Sequence, residues 1–169
     1  MAKLRIAGIV PESVVDGPGF RYTVFTQGCR HNCKGCHNPQ THDFNGGYTV
    51  DTDDLFAEMM ADPLIRGLTF SGGDPFEQPA PLAELARKAH AAGKDIMVYT
   101  GYTFEQLTQK AASDPATAAL LAQTDILIDG PFILEQRNLE LKFRGSDNQR
   151  VIDVPASLRQ GTAVTFEFE

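Results

Sequence analysis

An α/β fold with a mostly parallel sheet is predicted by three features of this chain. Short apolar runs alternate with helical patterns, polar glycine-bearing turns follow the runs, and the length is 169 residues. Strands that alternate with helices form right-handed βαβ units, which lay their strands parallel. A complete eight-unit barrel takes about 250 residues. The expected architecture is therefore an incomplete, open (β/α) barrel, formed as a single domain over residues 1–169.

Residues 21–27 (RYTVFTQ) are β-branched and aromatic, and predict a strand running straight into a cysteine-bearing loop. A cap at Asp51 or Thr52 opens a helix over 51–60. Residues 67–71 predict a short strand ending in Gly72-Gly73-Asp74-Pro75. Over 79–92, Leu82, Leu85, Ala86 and Ala89 share one helical face, and Gly93 stops the helix. Residues 95–99 (DIMVY) form the next strand, followed by Thr100-Gly101. Thr103 with Gln106 makes a capping box for a helix to about Ala111, and 115–122 supplies further helical turns. Residues 125–128 (DILI) are a buried-type strand closed by Asp129-Gly130-Pro131. Beyond it, 149–154 and 163–168 predict strands, with irregular chain over 131–148. The polar turns at Gly28, Gly72, Thr100 and Asp129 all follow strands, so four loops converge on the carboxyl edge, where parallel α/β folds build their sites.

Hydrophobic content of 42% and charge of 22% are those of an ordinary globular protein. A net charge of −7 excludes a broad basic face for polyanions. Arg137, Lys142, Arg144 and Arg150 are a local exception, but Glu135, Glu140 and Asp147 are interleaved with them. That stretch is a mixed-charge surface or a docking point for a partner or anionic ligand. No apolar run approaches the roughly 20 residues that span a bilayer. The start, Met1-Ala2-Lys3-Leu4-Arg5, lacks the apolar core of a signal peptide, so a cytoplasmic location is expected.

All three cysteines lie in the run Gly28-Cys29-Arg30-His31-Asn32-Cys33-Lys34-Gly35-Cys36-His37-Asn38. The odd number argues against a disulfide framework. Three thiolates cannot close a tetrahedral site alone, nor ligate every corner of a four-iron cluster. Two readings follow. His31, His37 or His42 could complete a Cys3His zinc site, or the cysteines hold a 4Fe–4S cluster by three corners and leave one iron open for a ligand. An electron-transfer ferredoxin fits less well, since all four of its ligands are normally cysteine.

Other candidates each have a plain alternative. Gly72-Gly73 lets backbone approach a ligand closely, or is an ordinary strand-to-helix turn. Thr100 and Asp129 are site residues or helix caps. Asp16 is a site residue or a turn former in Asp-Gly-Pro-Gly. Arg30 and Lys34 offset cluster charge or are solvated. His31 and His37 tune or shield the cluster, or lie on the surface. His90 reads as structural.

The spacing C-x3-C-x2-C resembles that of the radical S-adenosylmethionine superfamily. Asp16-Gly17-Pro18-Gly19-Phe20-Arg21, Gln27-Gly28-Cys29 and Cys36-His37-Asn38 resemble the amino-terminal signature of glycyl-radical-enzyme activases, over residues 14–44. The resemblance implies that Cys29, Cys33 and Cys36 ligate a 4Fe–4S cluster whose fourth iron chelates the amino and carboxylate groups of S-adenosylmethionine. It also implies that Gly72, Gly73 and Asp74 match the superfamily's Gly-Gly-Glu segment at the cofactor's methionine end, with Asp74 a shorter carboxylate than the usual Glu. Thr100 and Asp129 would contact the cofactor at the same edge. Gly35 stands where most members carry an aromatic residue near the adenine, so contact there falls to backbone.

Gly35, the run Asp129-Gly130-Pro131-Phe132 and the run 144–150 (RGSDNQR) resemble the branch acting on the anaerobic ribonucleoside-triphosphate reductase. The implied function is reductive cleavage of S-adenosylmethionine to place a glycyl radical on that reductase, with an electron donor the sequence does not name. Activation of another glycyl radical enzyme such as pyruvate formate-lyase, or a non-catalytic zinc or iron–sulfur module, are the alternatives.

Overall fold

A computed structural model describes residues 2–31, 33–36 and 39–166. Its strands are β1 (Lys3–Ser13), β2 (Arg21–Thr26), β3 (Tyr48–Asp51), β4 (Gly67–Gly72), β5 (Asp95–Tyr99), β6 (Ile126–Asp129) and β7 (Arg150–Asp153). The helices are α1 (Thr52–Met60), α2 (Pro79–Ala91), α3 (Phe104–Ala111), α4 (Pro115–Gln123) and α5 (Val154–Gln160). All seven strands join one sheet in the order β3-β1-β2-β4-β5-β6-β7.

The centre of the sheet, β2-β4-β5-β6, is parallel throughout. Its edges are antiparallel: β1 on β2, β3 on β1, and β7 on β6. The fold is thus mixed α/β with the mostly parallel sheet expected. The antiparallel edges were not anticipated, because β1, β3 and α5 were not read from the sequence. β1 carries Gly8 and Pro11 and is bulged twice against β2, which breaks the alternation a strand would show. The strand expected over 163–168 is reduced to one bridge, Thr165 to Ile152, and its last two residues lie outside the described ones.

Side chains alternate across the strands and divide the molecule into two faces. On one, Val24, Phe70, Ile96, Val98 and Leu127 pack with Leu55 and Met59 of α1, Leu82, Leu85, Ala86 and Ala89 of α2, and Leu120 of α4. Met97, Ile126, Ile128 and Val151 form a separate cluster, joined by Tyr99 and Phe143. The caps hold as read: Asp51 accepts from Asp53 N at 3.0 Å, and Thr103 with Gln106 closes the box on α3. Gly93 ends α2 in the left-handed region, at φ 84°.

Arg21 of β2 is a guanidinium wholly removed from water, which is costly unless it is paired. It is matched by Thr69 Oγ1 at 2.6 Å, the carbonyls of Pro18 and Leu68 at 3.1 Å, and Asp95 Oδ1 at 2.6 Å. Gly67 has no side chain because one would strike both Arg21 and Asp95.

Candidate metal and cofactor site

β2 delivers the chain into the cysteine loop at Gly28, whose φ of 108° only glycine adopts easily and whose side chain would strike the Phe44 ring at 2.7 Å. The returning segment holds the loop. Gly28 N donates to Thr41 O at 2.6 Å and Cys29 N to His42 O at 3.3 Å. Buried Gln27 donates from Nε2 to Gln40 O at 3.0 Å and Asp43 O at 2.7 Å. Within the loop, Cys36 N donates to Cys33 O at 3.2 Å.

Cys29, Cys33 and Cys36 are all half-buried. Burial pushes the Cys29 thiol up to about 11, with added push from the charges of Asp74, Cys33 and Cys36. Burial likewise raises Cys33, again with Cys36 and Asp74 contributing. A bound cation reverses that charge balance and takes such thiols as thiolates, their protons passing to solvent. His42 Nε2 stands 3.3 Å from Cys36 Sγ. Among the described residues, no three or more His, Cys, Asp or Glu side chains converge on one ion. Three cysteines on one loop fit an iron–sulfur cluster, whose ligands are spread over separate corners.

Beside Cys36 opens a cleft of about 300 Å³, on the sheet face opposite α1 and α2. Asp16, Ser71, Tyr99, Phe132 and Arg144 line it. Ser71 stands at the end of β4 and Tyr99 at the end of β5, so strands bring together segments far apart in the chain. Asp16 is held by Ser13 Oγ at 2.5 Å. Burial pushes the Tyr99 hydroxyl up, aided by the Asp16 charge.

The Gly72-Gly73-Asp74 turn is pressed onto the cysteine loop. Gly73 N donates to Thr26 O and Asp74 N to Gly28 O, each at 2.8 Å. Side-chain carbons at Gly72 or Gly73 would collide with the backbone of Thr26 or Gly28. The close approach these glycines permit is therefore, in the first place, to the cysteine loop itself. Asp74 is fully buried, and its oxygens accept from Phe76 N at 3.0 Å, and from Thr100 Oγ1, which reaches both, and Gly101 N at 2.9 Å. Its carboxylate is thus bonded to the turn after β4 and, through Thr100 and Gly101, to the turn after β5.

Asp129 lies elsewhere on the edge. It accepts from Phe104 N at 2.8 Å, as a cap on α3, and pairs with Arg150 at 2.5 Å. Arg150 also reaches Glu105 at 2.6 Å, and both carboxylates raise its pKa. His90 bridges Gln123 and Asp125, remote from the cleft. His37 and Asn38 lie outside the described residues.

Gly35 has a φ of 77°, and a side chain on it would meet Leu134 Cδ1 at 2.9 Å and Phe132 Cε2 at 3.3 Å. The glycine thus makes room for a wall supplied from the far end of the chain. Gln149 ties that wall together, accepting from Gly145 N at 2.8 Å and Ser146 N at 3.2 Å and donating to Gly130 O at 3.1 Å. Asn148 donates to Pro131 O at 2.8 Å. Sequence reasoning did not single out Phe143, which takes a φ of 61°, or Tyr99 as lining residues. The 129–132 and 144–150 runs were the available signal: their polar side chains are the fasteners that hold the aromatic wall.

The family model for the 4Fe-4S single cluster domain matches residues 15–152. The anaerobic ribonucleoside-triphosphate reductase-activating protein of Vibrio cholerae is 42% identical over 148 residues, covering 82% of this chain and 91% of the relative. The protein of the same name from Haemophilus influenzae is 38% identical, covering 82% and 91%. That of Enterobacteria phage T4 is 37% identical, covering 85% and 90%. Among solved structures, QueE from Escherichia coli gives a TM-score of 0.48 at 17% identity, over 60% of this chain and 54% of its own.

Proposed function

Since the chain belongs to the family of anaerobic ribonucleoside-triphosphate reductase-activating proteins, we propose that it installs a glycyl radical on that reductase, using a 4Fe–4S cluster and S-adenosylmethionine. The observation that carries this reading is the gathering of Cys29, Cys33 and Cys36 on one loop, with Cys36 lining the cleft. Cys29, Cys33 and Cys36 hold the cluster and leave one iron to the cofactor. When bound, these groups supply the one-electron reductive cleavage of S-adenosylmethionine from which hydrogen abstraction at glycine proceeds.

The chain's own residues bind, orient and shield. Gly72 and Gly73 offer backbone to the amino-acid end of the cofactor, and Gly35 offers backbone on the nucleoside side, below Phe132 and Leu134. Asp74, Thr100 and Asp129, whose oxygens are already bonded, shape the wall behind it. Tyr99, Phe132 and Phe143 exclude water from the cleft, which protects a reactive site from side reactions.

We read the sheet as an incomplete, open (β/α) barrel within a single domain over residues 1–169. Sequential parallel strands, helices on one face and the cleft on the other support that reading. An open side gives a peptide loop of the reductase a way to the cofactor. A separate electron donor and a cytoplasmic location complete the proposal.

The test is anaerobic reconstitution with iron and sulfide, then reduction with S-adenosylmethionine present. The parent is expected to release 5′-deoxyadenosine and methionine, and C29A, C33A and C36A to release neither. A fully loaded, reduced parent that forms no 5′-deoxyadenosine would contradict the proposal.

A further inference from the structure

Between Cys29 and Cys33 the loop carries side chains that are docked on the scaffold. Arg30 Nε donates to Glu77 Oε2 at 2.5 Å, and His31 Nε2 to Asp74 Oδ2 at 2.5 Å. The His31 ring lies against Gly101, where a side-chain carbon would come within 2.5 Å of its Cδ2. Its other neighbour is Tyr102, edge-on with ring centroids 4.5 Å apart, and the Tyr102 hydroxyl donates to Glu77. His31 is therefore seated on residues from the turns after β4 and β5.

We propose that His31 and Asp74 form a clamp that positions the cysteine loop for its iron–sulfur cluster. Asp74 then serves the cluster through His31 and does not bind the cofactor. The inference rests on Cys29, Cys33 and Cys36 being the cluster ligands. A carboxylate has about four lone-pair sites. Phe76 N, Thr100 Oγ1, Gly101 N and His31 Nε2 occupy those of Asp74, which is fully buried. An aspartate one methylene shorter than glutamate stays within the wall, where it can grip His31. A loop held in place before the cluster arrives spares the ordering entropy that assembly would otherwise cost.

Cluster retention tests the clamp without recourse to activity. Reconstituted parent, H31A, H31Q and D74N proteins are challenged with an iron chelator, and bleaching of the cluster absorbance is timed. Loss of an outer-shell partner costs about 10–100-fold in metal affinity, so H31A and D74N should bleach about tenfold faster or more. H31Q keeps a donor and should fall closer to the parent than to H31A. Because the pair acts as a unit, the double variant H31A/D74N should bleach no faster than either single one. Retention by H31A equal to the parent overturns the clamp. So does a D74N protein that keeps its cluster but no longer binds S-adenosylmethionine in calorimetry, while H31A keeps both. His31 is partly exposed on a loop, so H31A and H31Q decide the matter even if D74N does not fold. A parent that takes up no cluster overturns the ligand assignment, and the clamp with it.

Discussion

Gly73 shows how tightly the site is built at the scale of single residues. Its amide is bonded to Thr26 O, and its α-carbon faces the Gly28 carbonyl with no room for a methyl group. G73A must therefore push the turn away from the cysteine loop. The expected cost is about 1–3 kcal/mol, as for other overpacked sites, together with weaker iron uptake on reconstitution. Denaturant unfolding and iron analysis check both, and a variant with parental stability and iron content contradicts the tight apposition. Cys29, Cys33 and Cys36 were legible in the sequence as candidate cluster ligands, through the signature that flanks them more than through the cysteines alone. The hydrogen bonds between Asp74 and Thr100 were not legible. Whether a carboxylate faces a ligand or the protein depends on donors from Gly101 and His31, brought to it by a separate strand and loop.

At the scale of elements, the parallel centre was legible because its strands are short apolar runs and its helices carry clear caps and stops. β5 falls where DIMVY predicts it, and α3 begins at its capping box. β1 was not legible, since its bulges and its glycine and proline obscure the strand period, and its partners lie in β2 and β3. His90 of α2 fastens that helix to the end of α4 and the turn after it, meeting Gln123 at 2.8 Å and Asp125 at 2.6 Å. Burial alone would lower its pKa, but the hydrogen bonds to Asp125 and Gln123 outweigh it and leave the imidazole raised. A raised folded-state pKa adds stability that is complete below the unfolded value of about 6.5 and is lost as pH rises through the folded value. Unfolding free energies of the parent and H90Q should therefore draw together as pH rises through the raised folded-state value. A gap that stays constant across that range contradicts a charged His90 pair.

For the molecule as a whole, the sheet has two working faces. One is closed by helices on a continuous apolar core, and the other holds the cleft beside Cys36. Convergence of the loops on the carboxyl edge was legible from the order of strands and turns. The aromatic wall was not, because Phe132 and Phe143 come from the irregular stretch between β6 and β7, where no hydrophobic period marks them. That wall and the cysteine loop meet across Gly35, so the site exists only in the assembled fold. The assembled site generates a glycyl radical on the anaerobic ribonucleoside-triphosphate reductase. Electron paramagnetic resonance of that reductase, after anaerobic incubation with the reconstituted, reduced protein and S-adenosylmethionine, tests it most directly. The expected result is a glycyl radical signal with the parent and none with C36A. A cluster-loaded parent that leaves the reductase without a radical, yet raises one on pyruvate formate-lyase, would contradict it.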